Sequence, residues 1–289
     1  RAAIPELDEH QVNIFSPEDL AVVGGRRAAA IVRALDLSAF TDIVVDLSAL
    51  SVGTSFPLVR ALLEAADNGT FNLHAVVVAD AGLDASITPL PGDAVIDLHG
   101  FRGELGLESR RDAALLWLPQ LAFGRREMLA RVHADLSPHD ICPILPFPAH
   151  DPRLGDALVE EYLELLTDTW AVDPRNFIYA AEEDPLDVYR TILELDDARR
   201  PVFEGDGGGS LLVLSPVGSK VLALGALMAA AERDFPVRHI EAVGFEVDLN
   251  RLQKYDDTQG TFAHVWLAGA PYQATADNSI AAPRSTGAP

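Results

Sequence analysis

The chain has 289 residues, 48% of them apolar and 23% charged, which supplies one large globular core or two ordinary ones. Its formal charge of −22 argues against a broad duplex-DNA or anionic-membrane footprint, because polyanions are repelled at long range, yet leaves room for one small anion in a local basic pocket. The single cysteine, Cys142, excludes intramolecular disulfides and cysteine-based zinc sites; with no apolar run of membrane-span length and no leader pattern, the expected setting is cytoplasmic.

In chain order, Glu18 to Leu35 predicts a helix interrupted at Gly24-Gly25. Ile43 to Leu47 reads as a short buried strand. The loop Ser48 to Ser55 follows, then a helix from Phe56 to Ala66 that Asp67-Asn68-Gly69 stops. His74 to Ala79 and Asp93 to Leu98 are the next strands. Ala134 to Pro152 is dense in proline, which opposes a regular helix or central strand. It reads as a linker packed on its neighbours through Ile144, Leu145 and Phe147. Beyond it come a helix over Leu158 to Leu166, a strand over Phe177 to Ala180 and a helix over Pro185 to Leu195. A glycine-rich turn, Gly205 to Gly209, leads into the strand Leu211 to Leu214. The loop Ser215 to Lys220, an Ala/Leu-rich helix over Val221 to Glu232 and a strand over Val237 to Phe245 complete the pattern.

Two stretches share an order. Ile43 to Ser48, the turn Gly53-Thr54-Ser55, Leu58 to Leu63 and Ala75 to Val78 parallel Leu211 to Ser215, the turn Gly218-Ser219-Lys220, Leu224 to Met228 and Ile240 to Val243. This favours a duplication. The expected architecture is α/β, with two Rossmann-like units in tandem and mainly parallel sheets flanked by helices. Residues 1–133 form the first unit, 134–152 the linker, 153–272 the second unit and 273–289 a mobile tail.

Lys220 is one of only two lysines, and it stands where a strand-to-helix turn offers free backbone N–H groups. Ser215, Gly218, Ser219 and Lys220 are therefore candidate ligand-binding residues, with Lys220 on a phosphate or other anion. The competing reading makes Ser219 a helix cap and Lys220 a solvated first-turn residue. The Walker A order is absent, since Ser219 precedes the lysine and Val221 follows it. A dinucleotide fingerprint is absent too, because Gly207-Gly208-Gly209 precedes its strand. In the first half Ser48, Gly53, Thr54 and Ser55 are the counterpart candidates, without a cation; turn chemistry and capping compete with contact to a base or ribose.

Other residues read as structural. His133, His139 and His150 lack helical ligand spacing. Glu182-Glu183-Asp184 and Asp196-Asp197 read as solvated helix-end charges. Arg110-Arg111 and Arg125-Arg126 read as salt-bridge partners that could also form an anion patch. Trp117, Trp170 and Trp266 read as packing residues, and Cys142 as inert. No catalytic residue, metal or cofactor is expected.

The run Asp184 to Leu195, then Leu211 to Lys220, then Ala223 to Ala231 resembles the CRISPR-associated Rossmann fold (CARF) sensors. In those proteins a strand, a Gly-Thr-Lys-type turn and an Ala-rich helix follow in this order, and Gly218, Ser219 and Lys220 match the turn. Ser215-Pro216-Val217 stands where a Thr-Gly-Gly-like run is usual. The resemblance covers roughly the second half. It implies a Rossmann-like sheet, a homodimer or larger assembly, and a nucleotide-type ligand such as a cyclic oligonucleotide at the sheet's carboxyl edge. The function so implied is a non-catalytic sensor in prokaryotic antiviral defence, with no membrane or broad duplex-DNA partner. Two rivals remain: a nucleotide-processing enzyme using Asp46 or Glu246 as base, and a degenerate scaffold in a larger defence assembly.

Overall fold

The computed structural model describes residues 7–18, 21–67, 71–84, 86–101, 113–204, 209–253 and 260–272. Its first elements are helix α1 (Gly24–Ala34), strand β1 (Asp42–Asp46), helix α2 (Val52–Asp67), strand β2 (Asn72–Ala79), the one-turn helix α3 (Ala81–Asp84) and strand β3 (Ile87–Asp97). Next come β4 (Ala114–Pro119), α4 (Arg126–Leu136), β5 (Asp140–Ile141), β6 (Ile144–Pro146) and α5 (Leu154–Glu164), which a π turn over Leu165–Thr169 extends. The remainder is β7 (Ile178–Ala180), α6 (Pro185–Glu204), β8 (Ser210–Ser215), α7 (Lys220–Arg233), β9 (Arg238–Val247), the one-turn α8 (Leu249–Leu252) and β10 (Thr261–Ala268). The protein is a mixed α/β structure, and among the described residues no helix is long and apolar enough to cross a membrane.

One sheet is parallel through most of its width. β4 lies between β5 and β8, and β6 pairs with β7. Bridges at Gln120–Ile144 and Leu214–Val237 carry the order outward, giving β7, β5/β6, β4, β8 and then the start of β9. Alternate residues of its strands feed two cores, as the two-residue period of a strand requires. Leu116, Leu118, Leu212 and Leu214 face α6 and α7, while Leu115, Trp117 and Val213 face α4 and α5. A strand buried on both faces reads as a continuous apolar run, which is the pattern of β8.

The second sheet is small and mixed. β2 pairs in parallel with β1 and antiparallel with β10, so a strand near the C-terminal end completes a sheet begun near the N-terminus. Its inner residues Val45, Leu73, Ala75, Val77, Ala263 and Val265 join the core that contains α7. Helix α7 is therefore covered on nearly every side, and its run of Ala, Leu and Gly225 supplies the small, uncharged surface that this position requires. The outer face of the small sheet is open and apolar, with Val44 62%, Val78 48%, Phe262 64% and Trp266 37% exposed. β3 and β9 form a separate antiparallel ribbon.

Several expectations change. The helix foreseen from Glu18 begins at Gly24 and packs on α2 at Gly25, where a Cβ would lie 2.4 Å from the Gly53 carbonyl oxygen. Pro57 lacks the N–H that would bond that carbonyl within α2, which leaves it accessible to Gly25. Gly53-Thr54-Ser55 is not a turn ahead of the helix but its first turn. The Pro-rich stretch is no linker. β5 and β6 lie within it and pair with β4 and β7, so this stretch is part of the parallel sheet, and the boundary expected near 133 falls between two paired strands, β4 and β5. The strand β4 and helix α4 were not foreseen. Asn68, Gly69, Arg110, Arg111, Gly205 to Gly208 and the 273–289 tail lie outside the described residues.

Candidate functional site

In the parallel sheet the strand order reverses between β4 and β8, whose last paired residues are Pro119 and Ser215. Crossover connections leave there in opposite directions, and a cleft at the carboxyl ends is the usual place for a ligand in such sheets. Arg125 stands at the N-terminus of α4 and Lys220 opens α7. Two helix N-termini, each with its partial positive charge and free N–H groups, thus meet two cationic side chains.

Both cations are partly withdrawn from water. Desolvation lowers the pKa of Lys220, which nearby Asp84 opposes and Arg125 reinforces. Desolvation likewise lowers Arg125, offset by Tyr162 and Asp84. Asp84, at the rim of the cluster, is raised by loss of hydration and held back by Lys220 and Arg125. The Lys220 ammonium donates a hydrogen bond to the Leu50 carbonyl, so the first-half loop closes over the start of α7.

Strand β9 adds two buried polar side chains on one face. His239 is 6% exposed and Glu241 is 4% exposed, with His239 Nε2 3.8 Å from Glu241 Oε2. Burial pushes the His239 pKa down to about 4, with Lys220 and Arg125 adding to the shift, so the ring is neutral at pH 7. Burial raises Glu241, opposed by hydrogen bonds from Ser51 and the Ala242 N–H and by the Lys220 charge. Gly53 lies hard against this pair: a Cβ there would be 1.8 Å from Glu241 Oε2. At the end of β4, the Gln120 amide N–H donates to the Leu222 carbonyl at 3.0 Å, and its oxygen faces Gly218. Gln120 Oε1, His239 Nδ1 and Glu241 Oε2 are buried without a hydrogen-bond partner in the protein. Buried polar atoms of this kind, here beside two cations, can take a hydrogen bond from a water or a bound group.

The expected site residues divide accordingly. Gly218, Ser219 and Lys220 stand at the crossover, with Gly53 nearby across Glu241. Ser219 caps α7 by accepting from Leu222 N at 3.2 Å, yet Lys220 is drawn inward instead of being solvated. Ser215 is a structural node: it accepts from Trp117 Nε1 at 2.9 Å and donates to the Arg238 carbonyl at 3.0 Å, and it is 1% exposed. Ser48 bonds Asp46 and accepts from Val78 N, tying β1 to β2. Thr54 and Ser55 are buried in α2. Ser215 and Ser48 are thus hydrogen-bonded within the fold, and Thr54 accepts from Ser51 Oγ at 3.3 Å.

The rest sort by packing. Trp117 and Trp170 stack edge-on in the α4/α5 core with His133 beside them, whereas Trp266 lies on an open face. His139 accepts from Leu115 N, and Arg126 pairs with Glu164. Asp46 is held low by Ser48, and Glu246 lies exposed on the β3/β9 ribbon, so neither approaches the crossover as a base. Gln120, His239 and Glu241 were not foreseen. For His239 and Glu241 the signal was the presence of His and Glu inside a stretch, Val237 to Phe245, that otherwise reads as buried strand. Among the described residues no group of three or more His, Cys, Asp and Glu side chains is arranged to hold a metal ion. Comparison with protein-family models, curated proteins and solved structures finds no match to the chain.

Proposed function

We propose that the chain is a non-catalytic, CARF-like sensor that takes a small nucleotide-type anion at the β4/β8 crossover. The observation that supports this most is the pair of half-buried cations, Lys220 and Arg125, at two converging helix N-termini. An anionic group compensates both cations and both helix ends at once. The strand order β7, β5/β6, β4, β8, β9 matches the 3-2-1-4-5 order expected of a Rossmann-like unit, which supports this reading, and β1–α2–β2 is a smaller parallel pair closed by antiparallel β10. On this reading the Leu50 carbonyl occupies Lys220 until the anion replaces it, which couples occupancy to the first-half loop. A place in prokaryotic antiviral defence, a cytoplasmic setting and a homodimer follow from the resemblance of the Gly218–Lys220 turn to CARF sensors.

Titration calorimetry with linear and cyclic nucleotides tests the proposal. At least one should bind the wild type, and Lys220→Met should weaken it tenfold or more, which is about 1.4 kcal/mol. Equal binding by the two proteins overturns the phosphate role. The buried Glu241 carboxyl, whose pKa loss of hydration raises, favours a second reading, in which it exchanges a proton with a nucleotide in the same place. Mass-spectrometric detection of turnover, abolished in Glu241→Gln, separates that enzyme from a sensor.

A further inference from the structure

On the outer face of the small sheet, two imidazoles that are 190 residues apart in sequence stand side by side. His74 Nδ1 and His264 Nε2 are separated by 3.1 Å. The β2/β10 register produces this: His264 lies opposite Val76 and Trp266 opposite His74, which puts the two histidines on a diagonal of the same face. Trp266 packs on the His74 ring at 5.0 Å between centroids. On the far side of that ring, Nε2 is 3.5 Å from Asp42 Oδ1, and the same oxygen accepts from Asn72 Nδ2 at 2.8 Å.

We propose that His74 and His264 form a two-imidazole site for a divalent transition-metal ion of the nitrogen-preferring class, Zn2+, Ni2+ or Cu2+. Metal–nitrogen bonds of about 2.0–2.1 Å put two ligand nitrogens about 3.3 Å apart at a tetrahedral angle and about 2.9 Å apart at a right angle. The observed separation lies between these values. In the metal-free protein an N–H···N bond spans the same gap, so the rings are already positioned. Asp42 faces the nitrogen of His74 that the metal would not use. That placement steers the ring proton to Nε2 and leaves Nδ1 the acceptor of the His264 N–H, a lone pair that a metal ion can take over, as carboxylates behind metal-bound histidines arrange. His264 is exposed, so the remaining coordination positions are open to water or to an outside ligand. The strongly acidic surface raises the local concentration of cations. The site lies on a different sheet from the crossover and does not depend on the anion reading.

The test is equilibrium titration of the whole chain with ZnCl2 and CuCl2, together with electron paramagnetic resonance of the Cu2+ form. The wild type should take up one metal equivalent, with hyperfine coupling from two imidazole nitrogens. His264→Ala removes an exposed side chain and no core contact; it should weaken binding at least tenfold and reduce the coupling to one nitrogen. Asp42→Asn should weaken binding by about tenfold. His150→Ala, at an exposed position in another part of the chain, should change nothing. Equal affinity in wild type and His264→Ala, no saturable uptake by the wild type, or a Cu2+ spectrum lacking two-nitrogen coupling would overturn the proposal.

Discussion

His239 gives the fold a dependence on acid. Its folded pKa is about 4 against an ordinary 6.5, because burial opposes the charged ring. The unfolded chain therefore takes up a proton that the native state refuses. The stabilisation is complete above pH 6.5 and is lost as pH falls through about 4, a difference of roughly 3 kcal/mol. Glu241 acts in the opposite sense, because its raised pKa costs stability as pH rises. The measurement that isolates the histidine is urea unfolding of wild type and His239→Gln at pH 4 and pH 7, where the gap between them should widen at the higher pH. Beside it, Gly53→Ala would drive a Cβ to within 1.8 Å of Glu241 Oε2. That overpacking should cost about 1–3 kcal/mol in the same urea experiment. Lys220 was legible in the sequence because lysine is rare there and stands at a helix start. Its hydrogen bond to Leu50 was not, since a backbone carbonyl 170 residues away leaves no mark on residue type.

At the scale of elements, the crossing of α6 and α7 depends on one missing side chain. A Cβ on Gly225 would meet the Pro185 carbonyl oxygen and Val188 Cγ1, each at 2.2 Å. Alanine is the better helix former by about 1 kcal/mol, but the clash with backbone forces the helices apart. Gly225→Ala should therefore lose about 3 kcal/mol of stability, seen as a lower denaturation midpoint with an unchanged slope. The strand–turn–helix periodicity around α7 was readable because a buried strand and an Ala-rich helix each impose a distinct spacing. The Pro-rich stretch misled for a definite reason. Its prolines bracket the paired residues: Pro143 precedes β6 and Pro146 closes it. Ile144 and Leu145 remain free to join the sheet, so proline density reported short strands instead of absent ones. β10 escaped notice because its partner β2 lies in the other half of the chain.

The two sheets are joined at the scale of the whole molecule by the larger of the two apolar cores, which runs from the inner face of the small sheet through α7 to the parallel sheet. Neither sheet can lose α7 and keep its buried face. Thermal or urea unfolding should thus be a single transition, although the two sheets differ in size and topology. Trp117 and Trp170 report the parallel sheet and Trp266 the small one, so Trp266→Phe removes one reporter without touching the others. Coincident fluorescence transitions in both proteins would bear this out, and separated midpoints would contradict it. The pairing of β2 with β10 also bears on biosynthesis. As the chain emerges from the ribosome, β2 precedes the strand that covers its second edge by a long stretch; His74 and His264, one on each strand, are 190 residues apart. Throughout that interval the edge stays open to any neighbouring nascent chain. The small sheet can reach its final form only after the parallel sheet between its strands has been made.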